Sequence, residues 1–127
     1  ERDGATVLRL PEGAGVRTAG FVGAPARSEA VTGEVHGEEF VQYDLTDEQY
    51  ESLVALTAGL CRALPGIRPD SPRDENGAFR ADALGAGELD EFGGIIGHFH
   101  ATERKRDPGP AFDWDRLLDG VDSALAE

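Results

Sequence analysis

The stretch GHFHATERKRDPGPAFDW, residues 97–114, places two imidazoles, a lysine and an aspartate around a loop that contains two prolines. The apolar residues at 94–98 predict a short buried strand that ends at His98. After the loop, Asp113 is a suitable N-cap for a last helix, and apolar residues follow it at helical spacing. A strand, a polar loop and a helix in this order favour an α/β protein whose site lies at the carboxyl end of the strand.

The most regular helical pattern lies upstream and begins at Thr46. Gln49, three residues later, completes a capping box with Thr46. Apolar residues then recur at helical spacing as far as Leu64, and the Pro-Gly pair at 65–66 ends the pattern. The sequence therefore predicts an amphipathic helix that packs on the core.

The remaining segments have weaker patterns. Residues 1–40 are rich in Gly and Ala and predict loops with one or two short strands, the second at 34–36 or at 40–43. Residues 66–82 predict an exposed loop, and the apolar residues within 84–92 predict a short helix.

The composition limits the classes of partner. The chain has 127 residues, 39% of them hydrophobic, which fits one domain or part of one. A formal net charge of −13 argues against nucleic acid or an anionic membrane as a partner, because phosphate groups are bound through Lys and Arg. No run approaches the roughly 18 apolar residues of a membrane span. Cys61 is the only cysteine, so an internal disulfide is impossible.

His98 and Asp107 have the chemistry of metal ligands. Asp107 precedes a proline, which favours an extended backbone, so Lys105 and Asp107 are expected on the same side of the chain. Pro108 and Pro110 lack N–H groups that could occupy the Asp107 carboxylate. Imidazole together with carboxylate suits zinc. The same residues also fit a hydrogen-bonded histidine, an ordinary Asp-Pro-Gly-Pro turn and a solvated basic run, and these alternatives stay open.

The signature also resembles a known family. The resemblance rests on Gly97-His98, Lys105, Asp107-Pro108-Gly109-Pro110 and Phe112-Asp113-Trp114. In this order and spacing they are similar to the C-terminal signature of zinc-dependent N-acetylmuramoyl-L-alanine amidases. These are the AmpD-like enzymes related to phage lysozymes and animal peptidoglycan-recognition proteins. The resemblance extends over roughly residues 40–120 and includes the helix that begins at Thr46.

The resemblance implies a site and a reaction. His98 matches the second zinc ligand of the family and Asp107 the third, and Lys105 matches a lysine that stabilises the developing oxyanion or places the substrate. The implied cofactor is Zn²⁺, and the implied substrate is peptidoglycan or a muropeptide. The reaction is hydrolysis of the amide bond between N-acetylmuramic acid and L-alanine. A binding module of the same fold that recognises muropeptide without hydrolysis is the alternative.

Three features depart from the family pattern. The loop from His98 to Asp107 is slightly shorter than in the better-known family members. His100 forms a His-x-His pair with His98, so on a strand both rings would share a face, and His100 is an alternate ligand. The family's first zinc ligand is an upstream histidine and its general base a glutamate. Nothing before Thr46 resembles either motif; His36 is the other alternate ligand, and Glu34 is a weaker candidate for the base.

The expected fold is that of the family, a mixed central sheet flanked by helices. The chain begins with Glu1 rather than Met and lacks the upstream motifs. We therefore expect residues 1–127 to be the C-terminal part of a single amidase-like domain, with a loop-rich segment at 1–40 and the signature-bearing segment at 41–127. The N-terminal half, in the same precursor or in a separate chain, is then an expected partner.

Overall fold

The computed structural model describes residues 4–10 and 20–127. In chain order the elements are β1 (Leu8–Arg9), β2 (Val22–Gly23), β3 (Val31–Val35), β4 (Glu38–Gln42), α1 (Asp47–Ala63), α2 (Ala86–Glu91), α3 (His98–Ala101) and α4 (Trp114–Leu125). Helices and strands are thus both present, as predicted. The described helices include none long and apolar enough to span a bilayer.

The strands form two small antiparallel sheets. β1 pairs with β2, and β3 pairs with β4 from Val31 opposite Gln42 to Val35 opposite Glu38. His36 and Gly37 join β3 to β4 with φ angles of 52° and 77°, the left-handed conformation that tight two-residue hairpins require. Both segments offered as alternatives for the second strand therefore lie in one hairpin. Residues 4–10 and 20–127 do not by themselves form the expected mixed central sheet.

Helices α1 and α4 pack against each other and carry most of the core. The Thr46–Gln49 capping box is present at the start of α1, and the Asp113 side chain accepts a hydrogen bond from the Arg116 N–H at the start of α4. Both predicted helix starts are therefore confirmed. The core cluster consists of Val35, Ala58, Cys61, Phe99, Trp114, Leu117, Leu118 and Val121. The predicted apolar face of α1 is only partly buried, since Leu60 and Leu64 are 42% and 52% exposed.

The strand predicted at residues 94–98 is wrong. Gly97 is the extended N-cap residue of α3, and His98 begins that helix. The reason is local, because the Gly97 N–H donates to Nδ1 of His100 at 2.8 Å and so closes the first turn. Ile96 is 39% exposed, so the segment is not a buried strand. The short helix within 84–92 is confirmed. Residues 66–82 form a loop as predicted, but the loop is not exposed throughout, since Ser71 is buried and Phe79 and Ala81 pack against the core.

Candidate metal site

His98 and Asp107 lie side by side on the surface of the protein. Nδ1 of His98 is 3.3 Å from Oδ2 of Asp107. The side chains are 47% and 67% exposed, so solvent and a ligand can reach both. His98 is the first residue of α3, and Asp107 follows in the loop between α3 and α4. The structure thus brings together the two residues that the signature singled out.

Backbone contacts hold the Asp107 loop against α3. The Phe99 N–H donates to the Asp107 carbonyl at 3.0 Å, and Phe99 directly follows His98 in the chain. Gly97 permits a close approach of Pro108, since a Cβ at position 97 would lie 2.5 Å from the proline Cδ. Residue 108 follows a cis peptide bond. Glycine and proline in the signature therefore shape the loop, while the side chains of His98 and Asp107 stay exposed.

The separation of the two ligand atoms fits a tetrahedral zinc site. Two ligand atoms at usual zinc–nitrogen and zinc–oxygen distances are about 3.3–3.5 Å apart in a tetrahedron. The 3.3 Å between His98 and Asp107 agrees with that value, and it also fits a hydrogen bond between imidazole and carboxylate. Within residues 4–10 and 20–127, no group of three His, Cys, Asp or Glu side chains could hold a metal ion. The pair fits two ligands of a zinc site, and the described residues do not supply a third.

His100, the alternate ligand, is buried, and both of its ring nitrogens form hydrogen bonds within the protein. Its side chain is fully buried, and Nδ1 accepts the Gly97 N–H while Nε2 donates to the Arg80 carbonyl at 2.7 Å. Burial lowers the pKa of its imidazole, which keeps the ring neutral. On a helix, residues two apart do not share a face, so the expectation that both rings point to one side is wrong. No ring nitrogen of His100 remains for a metal.

Lys105 and His36 meet at the other end of the loop. Nε2 of His36 lies 2.8 Å from the Lys105 carbonyl, which ties the β3–β4 turn to the loop. Lys105 is exposed, and no carboxylate in the described part of the chain forms an ion pair with it. Glu34 is exposed on β3. Lys105 therefore offers a positive charge in the loop that carries Asp107.

Gln42, at the end of β4, binds the same loop with both ends of its amide. Its Nε2 donates to the Pro108 carbonyl at 3.1 Å, and its Oε1 accepts from the Ala111 N–H at 2.9 Å. Gly109 lies between these contacts with φ of +85°, and a Cβ there would be 2.3 Å from Oε1 of Gln42. The Gln42 side-chain amide can therefore reach both backbone groups only because residue 109 is a glycine with a left-handed backbone.

Beneath the loop, Asp44 is the centre of a buried polar network. Its carboxylate accepts hydrogen bonds from the Tyr50 hydroxyl, from Nε of Arg27 at 2.8 Å and from the Leu45 N–H at 2.8 Å. The Tyr50 hydroxyl in turn accepts from the Asp113 N–H at 2.9 Å. Burial acts to raise the pKa of Asp44, but these three donors outweigh it and lower the pKa below its ordinary value.

Tyr50 titrates in the opposite direction. Burial, together with the nearby Asp44 carboxylate, raises the pKa of its hydroxyl. The neutral hydroxyl therefore persists as both donor and acceptor between β4 and α4. Arg27 completes the link, because its guanidinium also donates to the Ala111 carbonyl.

Sequence reasoning did not single out Gln42, Asp44 or Arg27. Their partners lie 66, 6 and 84 residues away in the chain, and most of these partners are backbone groups. A side chain that binds a distant backbone group leaves no spacing pattern. The one available signal is the polar pair Gln42 and Asp44 at the end of a strand, directly before a helix cap.

Curated proteins with a similar sequence include the 1,6-anhydro-N-acetylmuramyl-L-alanine amidases AmpD of two bacteria. The Enterobacter cloacae protein is 36% identical over 85 residues, which make up 66% of this chain and 32% of the relative. The protein of Salmonella typhimurium LT2 is 32% identical with the same shares of both chains. The chain is AmpD-like in sequence. It spans about a third of the length of these AmpD relatives. No family model and no solved structure gives a match.

Proposed function

We propose that the protein is an AmpD-like amidase that hydrolyses the bond between N-acetylmuramic acid and L-alanine in peptidoglycan or muropeptides. The observation that carries the proposal is the exposed His98–Asp107 pair, 3.3 Å apart, within an AmpD-like sequence. The relatives are named for an amidase reaction on an anhydro-N-acetylmuramyl-L-alanine substrate.

His98 and Asp107 would hold a zinc ion, each through one ring nitrogen or carboxylate oxygen. Their exposure and separation support this assignment, and imidazole plus carboxylate is a donor set that zinc accepts. When bound, zinc would polarise an amide carbonyl and lower the pKa of a coordinated water towards about 7. A third ligand is expected from outside the described residues.

Lys105 would act on the same carbonyl by electrostatics. An ammonium group near the carbonyl oxygen stabilises the negative charge that develops there when the amide is attacked. Two features support this role: Lys105 lies in the loop of Asp107, and no described carboxylate forms an ion pair with it. The effect is larger when substrate excludes water from the site, because electrostatic interactions strengthen at lower dielectric.

The rest of the site would come from an upstream segment of a longer amidase domain. The AmpD relatives are about three times as long as the part matched here. We propose that residues 1–127 correspond to the C-terminal part of that domain, and that the N-terminal part contributes the first histidine, the general base and the missing strands of a mixed central sheet. His36 and Glu34 are the sequence candidates within this chain, but no described histidine or carboxylate completes a group of three ligands with His98 and Asp107.

Digestion of a purified muropeptide by the zinc-loaded full-length protein tests the proposal. Mass spectrometry should detect free stem peptide and the sugar without its peptide. His98→Ala and Asp107→Ala should each abolish release, whereas the exposed control Asp119→Ala on α4 should not. Absence of stem-peptide release by the wild type, or full release by both site variants, would contradict the proposal.

A muropeptide-binding module without hydrolysis is the second candidate. The observation that favours it is that the described residues contain no complete group of three metal ligands. Metal-free protein that binds muropeptide in calorimetry and releases no peptide when zinc is added would support this alternative. Binding that depends on zinc, together with peptide release, would exclude it.

A further inference from the structure

We propose that Gln42 is a positioning residue that holds the Asp107 loop against α3 and so keeps the Asp107 carboxylate beside His98. The part of this inference that concerns metal binding rests on the proposed function. The part that concerns the loop rests only on the contacts of Gln42.

The two Gln42 hydrogen bonds lie on either side of Gly109 and Pro110. One reaches the Pro108 carbonyl, directly after Asp107, and the other reaches the Ala111 N–H. Pro108 and Pro110 have no N–H groups, so the loop has few backbone donors with which to stabilise its own shape. One side chain from β4 therefore supplies both a donor and an acceptor to this stretch of backbone.

The packing around the loop supports a fixed position rather than an incidental contact. A Cβ on Gly33 of β3 would lie 2.7 Å from Cβ of Pro110, so the hairpin backbone touches the loop directly. On the other side, the Asp107 carbonyl accepts the Phe99 N–H of α3. The loop is thus held between the β3–β4 hairpin and α3, and Gln42 is the hairpin side chain whose amide bonds to it at two points.

Removal of the Gln42 amide should loosen the hairpin side of this arrangement. Gln42→Leu keeps most of the side-chain volume but leaves the Pro108 carbonyl and the Ala111 N–H without their partner. The loop can then move away from α3, and the Phe99–Asp107 backbone hydrogen bond should open more often. Loss of a direct partner of a metal ligand typically weakens metal binding by about 10- to 100-fold. Gln42 acts through the loop backbone, so we expect the lower end of that range.

Gln49→Leu is a matched control. Gln49 also bonds a backbone group with its side-chain amide, because Oε1 accepts the Thr46 N–H at 2.9 Å. That contact lies in the cap of α1 and involves no residue of the Asp107 loop. Both variants lose a glutamine-to-backbone bond, but only Gln42→Leu should affect the loop.

The experiment measures amide hydrogen exchange at Phe99 by NMR, relative to exchange at Val121 in the middle of α4, and zinc affinity by calorimetric titration with the metal alone. In Gln42→Leu we expect Phe99 to exchange at least tenfold faster than in wild type and zinc to bind at least tenfold more weakly. Gln49→Leu should match wild type in both. If Gln42→Leu does not fold, Gln42→Glu removes only the donor to Pro108 and should shift both values in the same direction.

Two results would overturn the inference: Phe99 exchange that is the same in the Gln42 and Gln49 variants, or zinc affinity that Gln42→Leu leaves unchanged. A full-length wild-type protein that binds no zinc would contradict the proposed function instead. The exchange of Phe99 needs no metal and would still decide whether Gln42 positions the loop.

Discussion

The imidazole of His98 and the carboxylate of Asp107 lie 3.3 Å apart although eight residues separate them in the chain. The backbone brings them together, because the Phe99 N–H donates to the Asp107 carbonyl and Gly97 allows Pro108 to pack closely. Both exposed side chains are accessible to a ligand, since the contacts that hold the loop are made by the backbone and by Gly97 and Pro108. A metal site needs ligands held in place by their surroundings, and here the backbone contacts of the loop place the two residues side by side.

Gly109→Ala should destabilise the protein by roughly 1–3 kcal/mol, because the residue has φ of +85° and a Cβ would collide with Oε1 of Gln42. Urea unfolding measures the change. Gly59→Ala, in the middle of α1 with open space around its Cβ, should instead stabilise the protein by about 0.5–1 kcal/mol.

The cost of Gly109→Ala should be partly relieved by Gln42→Ala, since the shorter side chain removes the collision but not the backbone strain. The double variant should therefore be more stable than the sum of the single changes predicts. Strictly additive free energies of unfolding would show that the two residues do not meet as described.

Asp44→Asn should reduce the free energy of unfolding at pH 7 by roughly 1–3 kcal/mol, because the buried carboxylate accepts three hydrogen bonds. The pKa of Asp44 is lowered from 3.8 in the folded protein, so the unfolded chain binds its proton more readily. The stability that Asp44 contributes is therefore present above about pH 4 and is lost as the pH falls through the folded pKa.

The difference in free energy of unfolding between wild type and Asp44→Asn should accordingly shrink as the pH falls from about 5 to about 2. Denaturant unfolding at each pH measures it. Asp82→Asn is a useful control, since hydrogen bonds from Arg80 lower the pKa of Asp82 at an exposed site. It should cost much less at pH 7. A stability difference between wild type and Asp44→Asn that is constant over this pH range would contradict the assignment.

Lys105→Ala should lower kcat for muropeptide hydrolysis by about 100-fold with little change in zinc affinity, because the ammonium group acts on charge that develops in the transition state. Steady-state kinetics together with zinc titration separate the two effects. Arg104→Ala, at the neighbouring exposed position, should retain near wild-type kcat. Equal activity of the two variants would exclude an electrostatic role specific to Lys105.

The parts of the fold that local chemistry determines could be predicted from the sequence. Thr46 with Gln49, and Asp113 with its backbone partner Arg116, mark the starts of α1 and α4, because a cap involves residues within one turn. The strand predicted at 94–98 is wrong, although the contact found in its place is also local. The bond between Gly97 and His100 is local, but an apolar run such as Ile95-Ile96 does not distinguish a strand from a loop that leads into a helix.

The proximity of two candidate site residues could be predicted from the sequence, while their roles stay predictions. His98, Lys105 and Asp107 belong to one short signature, and the structure places His98 beside Asp107. The contacts of Gln42, Arg27 and Tyr50 with the backbone of the Asp107 loop could not be predicted, because each joins a side chain to a group far away in the chain. His100 was misplaced because the expected strand put it on the same face as His98, whereas in α3 it points into the core.

The most direct test of the central claim is anomalous diffraction at the zinc edge from crystals of the full-length protein grown with zinc. We predict a single strong peak about 2.0–2.2 Å from one ring nitrogen of His98 and from one carboxylate oxygen of Asp107, with a further ligand from upstream sequence. A zinc peak that contacts neither residue, in a protein that still releases stem peptide from muropeptide, would contradict the claim.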